Sequence, residues 1–142
     1  MTAPPSFRNP FIDLLQIEEI GIAGGAARIA IEHRPDLNNM HGAIHGGVLM
    51  SLIDTTMARA AMSQQEFRLS VVSTGVSVNF ISPGFGRLVA EARVVGGGKS
   101  VCFCEAEVRD ARGHLIAKGM GTFKYRKPPA APDARAEIEI ID

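Results

Sequence analysis

The chain has 142 residues, 46% of them hydrophobic and 21% charged, with fifteen Lys and Arg against fifteen Asp and Glu. That length suits one domain rather than two, and the composition lies far from that of chains that stay disordered. A formal charge of zero gives no overall field to gather nucleic acid or an anionic membrane surface, and does little to keep copies of the chain apart.

Residues 1–10 hold three prolines and lack the basic-then-apolar order of a secretion signal, which predicts a cytoplasmic protein. Asn9-Pro10 followed by Phe11, Leu14, Leu15 and Ile17 predicts a short amphipathic helix with proline near its first position. Strands are expected over 18–23 and 26–33, joined at Gly24-Gly25, where glycine can take the positive φ of a hairpin. Residues 34–45 form a polar loop. Over 46–62, Val48, Leu49, Leu52, Ile53, Met57, Ala60 and Ala61 recur at helical spacing and wrap past one stripe, so a mostly buried helix is expected. The apolar run from Val48 to Met62 is too short and too interrupted, by Asp54 and Arg59 among others, to cross a bilayer.

Four more strands are expected over 71–81, 87–95, 100–109 and 114–125, with short turn-like links that predict an antiparallel meander carrying the helix on one face. The single domain spans 1–142, with its core over about 9–126 and a mobile tail over 127–142. Cys102 and Cys104 are two apart on one strand. They point to one face, ill placed for an unstrained disulfide, and read as buried thiols.

Most of the plausible chemistry sits between Asn38 and Gly47. The first turn of a helix carries unsatisfied N–H groups and partial positive charge, suited to a carbonyl oxygen becoming an oxyanion, and Gly46 and Gly47 would let it approach; the same glycines also suit a tight structural turn. Asp54 follows Gly46 by eight residues within an apolar run. It must be paired, face a cleft as base or nucleophile, or lie on a polar side with Ser51 and Thr55. His41 and His45 lack the His-Glu-x-x-His pattern of a zinc helix, and no Gly-x-Ser-x-Gly elbow is present. Lys99, beside the Gly96–Gly98 turn, reads as a solvated lysine or a phosphate contact. Val48, Met50 and Met57 read as core or as the wall of an apolar acyl pocket.

The element order resembles the hotdog fold, an α+β architecture with an antiparallel sheet wrapped around one long central helix. Asn39, His45-Gly46-Gly47, Asp54 and Ser82-Pro83 after a strand resemble the acyl-CoA thioesterases of the phenylacetate-pathway (PaaI-like) type, over about residues 9–126. The resemblance implies paired sheets of two subunits, a homodimer or a tetramer of dimers, and an active site at the subunit interface. It implies that the Gly46 N–H polarises the thioester carbonyl, that Asp54 activates water or attacks directly, and that Asn39 and His45 place the carbonyl, water or loop. Ser73, or Thr74 in its stead, would hold the water; His41 has no assigned role. Gly47, Met57 and Lys99 complete the expected substrate contacts, with Arg87 and Arg109 as further candidates for the nucleotide phosphates. CoA would be part of the substrate, with no metal or cofactor required. Two competing expectations are a hotdog dehydratase or hydratase, using His41 with Asp54, and a non-catalytic acyl-CoA-binding module.

Overall fold

The computed structural model describes residues 9–128; the expected tail lies outside the described residues from position 129 onward. Helix α1 spans Pro10–Leu15, with the Asn9 side chain accepting from Phe11 N at its start and Gln16 in the left-handed region (φ 56°) at its end. Strands β1 (Glu18–Ala23) and β2 (Ala26–Glu32) form the hairpin, and a single 3₁₀ turn at Pro35–Leu37 opens the polar loop. Helix α2 spans Gly46–Gln64. Strands β3 (Ser70–Phe80), β4 (Arg87–Gly97), β5 (Val101–Arg109) and β6 (Leu115–Arg126) follow.

All six strands form one sheet in the order β1-β2-β4-β5-β6-β3, every neighbour antiparallel. This corrects the expected four-strand meander: only β4, β5 and β6 follow one another, while β3 lies at the far edge beside β6. Period-two patterning shows that a segment is a strand but not which strand it joins. The link after β3 is no hairpin. Ile81 N and Ser82 N both donate to Ile116 O, then Ile44 N donates to Gly84 O and His33 N to Gly86 O. The chain thus crosses the end of the sheet from β6 to the edge of β2.

Helix α2 packs against every strand, and the hotdog arrangement follows. Leu49, Leu52, Ile53, Met57, Ala60 and Ala61 are buried on it, facing Ile29, Leu88, Ala90, Cys104, Ala106 and Phe123 in the same core. Small residues let helix and sheet approach. A Cβ at Gly119 would stand 2.8 Å from Ile53 Cγ2 and 2.9 Å from Ser77 O, and one at Gly121 would meet the buried Phe123 ring at 2.8 Å and the flexible end of Met57 at 2.9 Å. Cys102 and Cys104 are free and buried, as expected, and burial pushes the Cys104 thiol far up.

The sheet's two edges differ. β1 is short, bulged between Glu19 and Gly21, and carries Glu18 and Glu19. β3 runs for 11 residues and exposes Val72 and Phe80. A long edge strand of this kind is a template for pairing with another chain.

Because a backbone carbonyl as well as a side chain crowds Gly119, Gly119→Ala should lower stability by about 1–3 kcal/mol in urea unfolding. Gly121→Ala meets the ring of the fully buried Phe123 as well as the flexible end of Met57 and should be destabilising in the same range.

Candidate active site

The loop before α2 is built around Asn39. Its Oδ1 accepts from His41 N (2.8 Å) and Ala43 N (3.2 Å), and its own N–H donates to Ala43 O (2.8 Å). Gly42, at φ +81°, allows the turn to close. With Oδ1 so engaged, the Asn39 amide nitrogen is the end that remains to donate.

His45 is the N-cap of α2. Its Nδ1 accepts from Gly47 N (2.8 Å), and its carbonyl accepts from Val48 N (2.9 Å) and Leu49 N (3.3 Å). A neutral ring with Nδ1 as acceptor carries its proton on Nε2. Of the four N–H groups that a helix start leaves without an intrahelical partner, those of His45, Gly46, Gly47 and Val48, His45 accepts from two, Gly47 and Val48, and its own N–H donates to Leu37 O at 2.8 Å. The fourth, Gly46 N–H, donates to nothing among the described residues. A Cβ at Gly46 would stand 3.3 Å from the half-exposed ring of Phe80. Gly47, expected to face substrate, instead has its N–H committed to His45.

Asp54 is half-buried, and its Oδ1 accepts from Ser73 Oγ at 2.6 Å. Of the two hydroxyls, Ser73 is the one that reaches Asp54, whereas Thr74 Oγ1 donates to Thr122 O at 3.1 Å on the neighbouring strand. Asp54 and Ser73 share a groove of about 690 Å³. Its walls come from α1 (Pro10, Ile12), from α2 (Thr55, Ala58, Arg59, Met62), from β3 (Ser70, Val71) and from Arg126 and Lys127 after the last turn of sheet. Arg59 is nearly buried there and pairs with Glu19 at 3.1 Å; desolvation lowers its pKa, opposed by the Glu19 charge. A second depression of about 700 Å³ crosses β1, β2, β4 and β5, where Arg28 pairs with Glu91 and Arg93 with Glu105. The charges there satisfy one another.

Met57 does not face the groove. It is fully buried, and its carbonyl accepts from Cys104 Sγ. This overturns its expected role as a substrate contact: helical spacing marked Met57 as apolar, and the core claimed it. Val48 packs against the core, whereas Met50 remains 43% exposed. Arg87 is held by Glu18 (3.0 Å) and Glu32 (2.7 Å), and Arg109 by Glu107 (2.9 Å) and Gly113 O (3.0 Å), so neither is a spare cation. Lys99 is exposed and lies outside the groove wall, next to Ser100, whose carbonyl accepts from Tyr125 N. His41 is exposed and takes part only through its backbone. The sequence reading missed Arg126 and Lys127; the signal was a pair of cations directly before Pro128-Pro129 at the end of the last strand.

Residues 41–117, more than half of the chain, match the thioesterase superfamily. The chain belongs to that superfamily. It is 31% identical over 110 residues to a putative esterase of Saccharolobus solfataricus, covering 77% of this chain and 78% of that one. It is also 31% identical over 108 residues to the acyl-coenzyme A thioesterase PaaI of Escherichia coli, covering 75% and 71%. The solved structure of the E. coli PaaI protein superposes with a TM-score of 0.79 at 28% identity, over 85% of this chain and 87% of that one. A conserved protein of Pseudomonas aeruginosa superposes with a TM-score of 0.83 at 31% identity, over 88% and 100%. The hotdog thioesterase likeness expected from Asn39, His45-Gly46-Gly47 and Asp54 holds at the level of family and fold. No helix among the described residues is long and apolar enough to cross a membrane.

Since the His45 side chain caps the helix, His45→Ala should lower stability by about 1 kcal/mol in urea unfolding.

Proposed function

We propose that this thioesterase-superfamily protein hydrolyses acyl-CoA thioesters to a carboxylic acid and CoA. The observation that carries the reading is the pairing of an unsatisfied helix-start N–H at Gly46 with a carboxylate at Asp54 held by Ser73. In this mechanism the Gly46 N–H donates to the thioester oxygen, and its bond strengthens as that oxygen gains charge. The Ser73 hydroxyl occupies Asp54 Oδ1 and leaves Oδ2 to take a proton from water as the water oxygen adds to the carbonyl carbon. Collapse of the tetrahedral adduct breaks the carbon–sulfur bond, and the departing thiolate recovers the proton from Asp54. The Asn39 amide nitrogen and the His45 Nε2 proton are the further donors at this end of the helix. No metal or separate cofactor takes part in these steps.

Gly46 and Asp54 of one subunit cannot serve one carbonyl. Eight residues of α-helix put them about 12 Å apart along the axis. A second copy removes the difficulty. Helix α2 runs antiparallel to β3: Gly46 lies beside Phe80, and Asp54 bonds to Ser73. Pairing β3 with its copy about a two-fold axis midway between Phe80 and Ser73, near Val76, sets Gly46 of one subunit against Asp54 of the other. The free edge of β3 and its exposed Val72 and Phe80 favour that pairing. The acyl group would then lie near Phe80 and Met50, the exposed apolar side chains at the Gly46 end.

Release of CoA thiol from a panel of phenylacetyl, hydroxyphenylacetyl, short-chain and medium-chain acyl-CoA esters tests the reading. At least one ester should be turned over by the wild-type protein, and Asp54→Asn should reduce its kcat by about a hundredfold or more. Silence across the panel, or full activity in the variant, contradicts it.

A further inference from the structure

The four histidines of the chain are used differently. His41 takes part only through its backbone, His45 caps α2 through one ring nitrogen, and His114 pairs with Asp110 in the β5–β6 turn. His33, half-buried just beyond β2, has its two ring nitrogens on two different segments. Nδ1 faces the Gly86 N–H at 3.4 Å, and Nε2 meets Asn38 Oδ1. A backbone N–H can only donate, so Nδ1 accepts, and in the neutral ring the proton on Nε2 is given to Asn38. Phe85 lies against the ring, the two centroids 5.9 Å apart. The backbone repeats the link, with His33 N donating to Gly86 O at 3.0 Å.

Both partners of the ring lead to the oxyanion end of α2. Leu37, Asn38 and Asn39 run opposite Ala43, Ile44 and His45 as a miniature hairpin. Asn38 bridges Ile44, Leu37 O accepts from His45 N at 2.8 Å, and Asn39 N donates to Ala43 O at 2.8 Å. One arm carries Asn39, and the other leads through His45 into Gly46. Gly86 belongs to the link that crosses the end of the sheet, and two residues earlier Gly84 O accepts from Ile44 N at 2.9 Å. Gly84 is wedged in turn: a Cβ there would stand 3.0 Å from Leu88 and 3.2 Å from Ile116. Bonds thus run in a closed circuit from His33 to Asn38, across to Ile44, on to Gly84 and Gly86, and back to His33.

We infer that His33 is a positioning residue for the proposed hydrolysis: by bridging Asn38 and Gly86, its neutral ring fixes the tilt of the hairpin that presents the Asn39 amide and the Gly46 N–H to the thioester oxygen. This assignment rests on the thioesterase reading above, and His33 acts through its neighbours without touching substrate. The buried side chains of Leu37, Ala43 and Ile44 hold the hairpin on the core whether or not the ring is present. Removing the ring therefore shifts the donors and leaves the fold in place. A small displacement is felt most where charge has developed on the oxygen, so kcat carries the effect and KM does not.

The test measures kcat and KM, with the acyl-CoA ester that the wild type turns over fastest, for His33→Ala, His33→Gln, Asn38→Ala, the His33→Ala/Asn38→Ala double variant and His114→Ala. His114 is an exposed histidine of a turn away from α2 and serves as the control. His33→Ala should lower kcat about tenfold while KM stays within about twofold. Asn38→Ala, an exposed position that folds in either case, should show the same split. The double variant should be no slower than the worse of the two, because both changes open the same circuit. His33→Gln, whose amide can donate to Asn38 and accept from Gly86, should recover most of the loss. Unchanged kcat in His33→Ala and Asn38→Ala overturns the inference while leaving the thioesterase standing. So do losses that multiply in the double variant, a loss confined to KM, a His33→Gln variant as slow as His33→Ala, or an equal loss in His114→Ala. A wild type that hydrolyses no ester overturns the thioesterase reading and the role of His33 with it.

Discussion

The helix between Gly46 and Asp54 is rigid, and its length governs the rest of the account. A helix start offers an N–H for an oxyanion, and a carboxylate further along offers a base, but eight helical residues hold them about 12 Å apart. No side-chain rotation closes that distance. Either the two groups serve different purposes, or the site is made by two copies of the chain. The second course uses features the monomer leaves unfinished: a long edge strand, exposed Val72 and Phe80, and a helix lying antiparallel to that strand.

The packing of the helix follows from the same requirement. For Asp54 to sit half-buried between α2 and β3, the helix must lie close on the sheet, and the strand beside β3 supplies Ala117, Gly119 and Gly121 at facing positions. The N-terminus is equally constrained. His45 takes up two of the four helix-start N–H groups through one ring nitrogen and one carbonyl, and its own N–H bonds to Leu37 O, so the single group left over is fixed in place and direction. Preorganised donors of this kind need no rearrangement when charge develops on the substrate. The cations are divided in a related way. Arg28, Arg87, Arg93 and Arg109 are each held by a carboxylate of the sheet, whereas Arg126 and Lys127 line the groove without one among the described residues.

Much of this was legible in the sequence because it depends on local chemistry. Proline after Asn9, the Gly24-Gly25 hairpin and the apolar spacing of α2 each act within a few residues, and the observed elements begin and end within two residues of expectation. Asp54 stood out because a carboxylate in an apolar helical run needs a partner, and Ser73 is that partner. What the sequence did not disclose depends on distant contacts. The pairing of β3 with β6 rests on a link that crosses the sheet end, and strand periodicity carries no information about neighbours. Met57 was apolar in either reading, and only the position of Cys104 and Gly121 beside it assigns it to the core. Arg126 and Lys127 are distinguished from other surface cations by their place on the groove wall, which requires the fold.

The central claim is that each site joins Gly46 of one subunit to Asp54 of another, and mixing two inactive variants tests it most directly. Gly46→Pro removes the helix-start N–H at the first helical position, where proline is well tolerated, at the cost of a Cβ 3.3 Å from the Phe80 ring, and Asp54→Ala removes the carboxylate. When the two are unfolded together and refolded at equal amounts, half of the dimers are mixed, and each mixed dimer has one site with both groups intact. The account predicts recovery of about a quarter of wild-type activity from two proteins that are each inactive alone. No recovery, with mixed dimers demonstrated by mass, would contradict it.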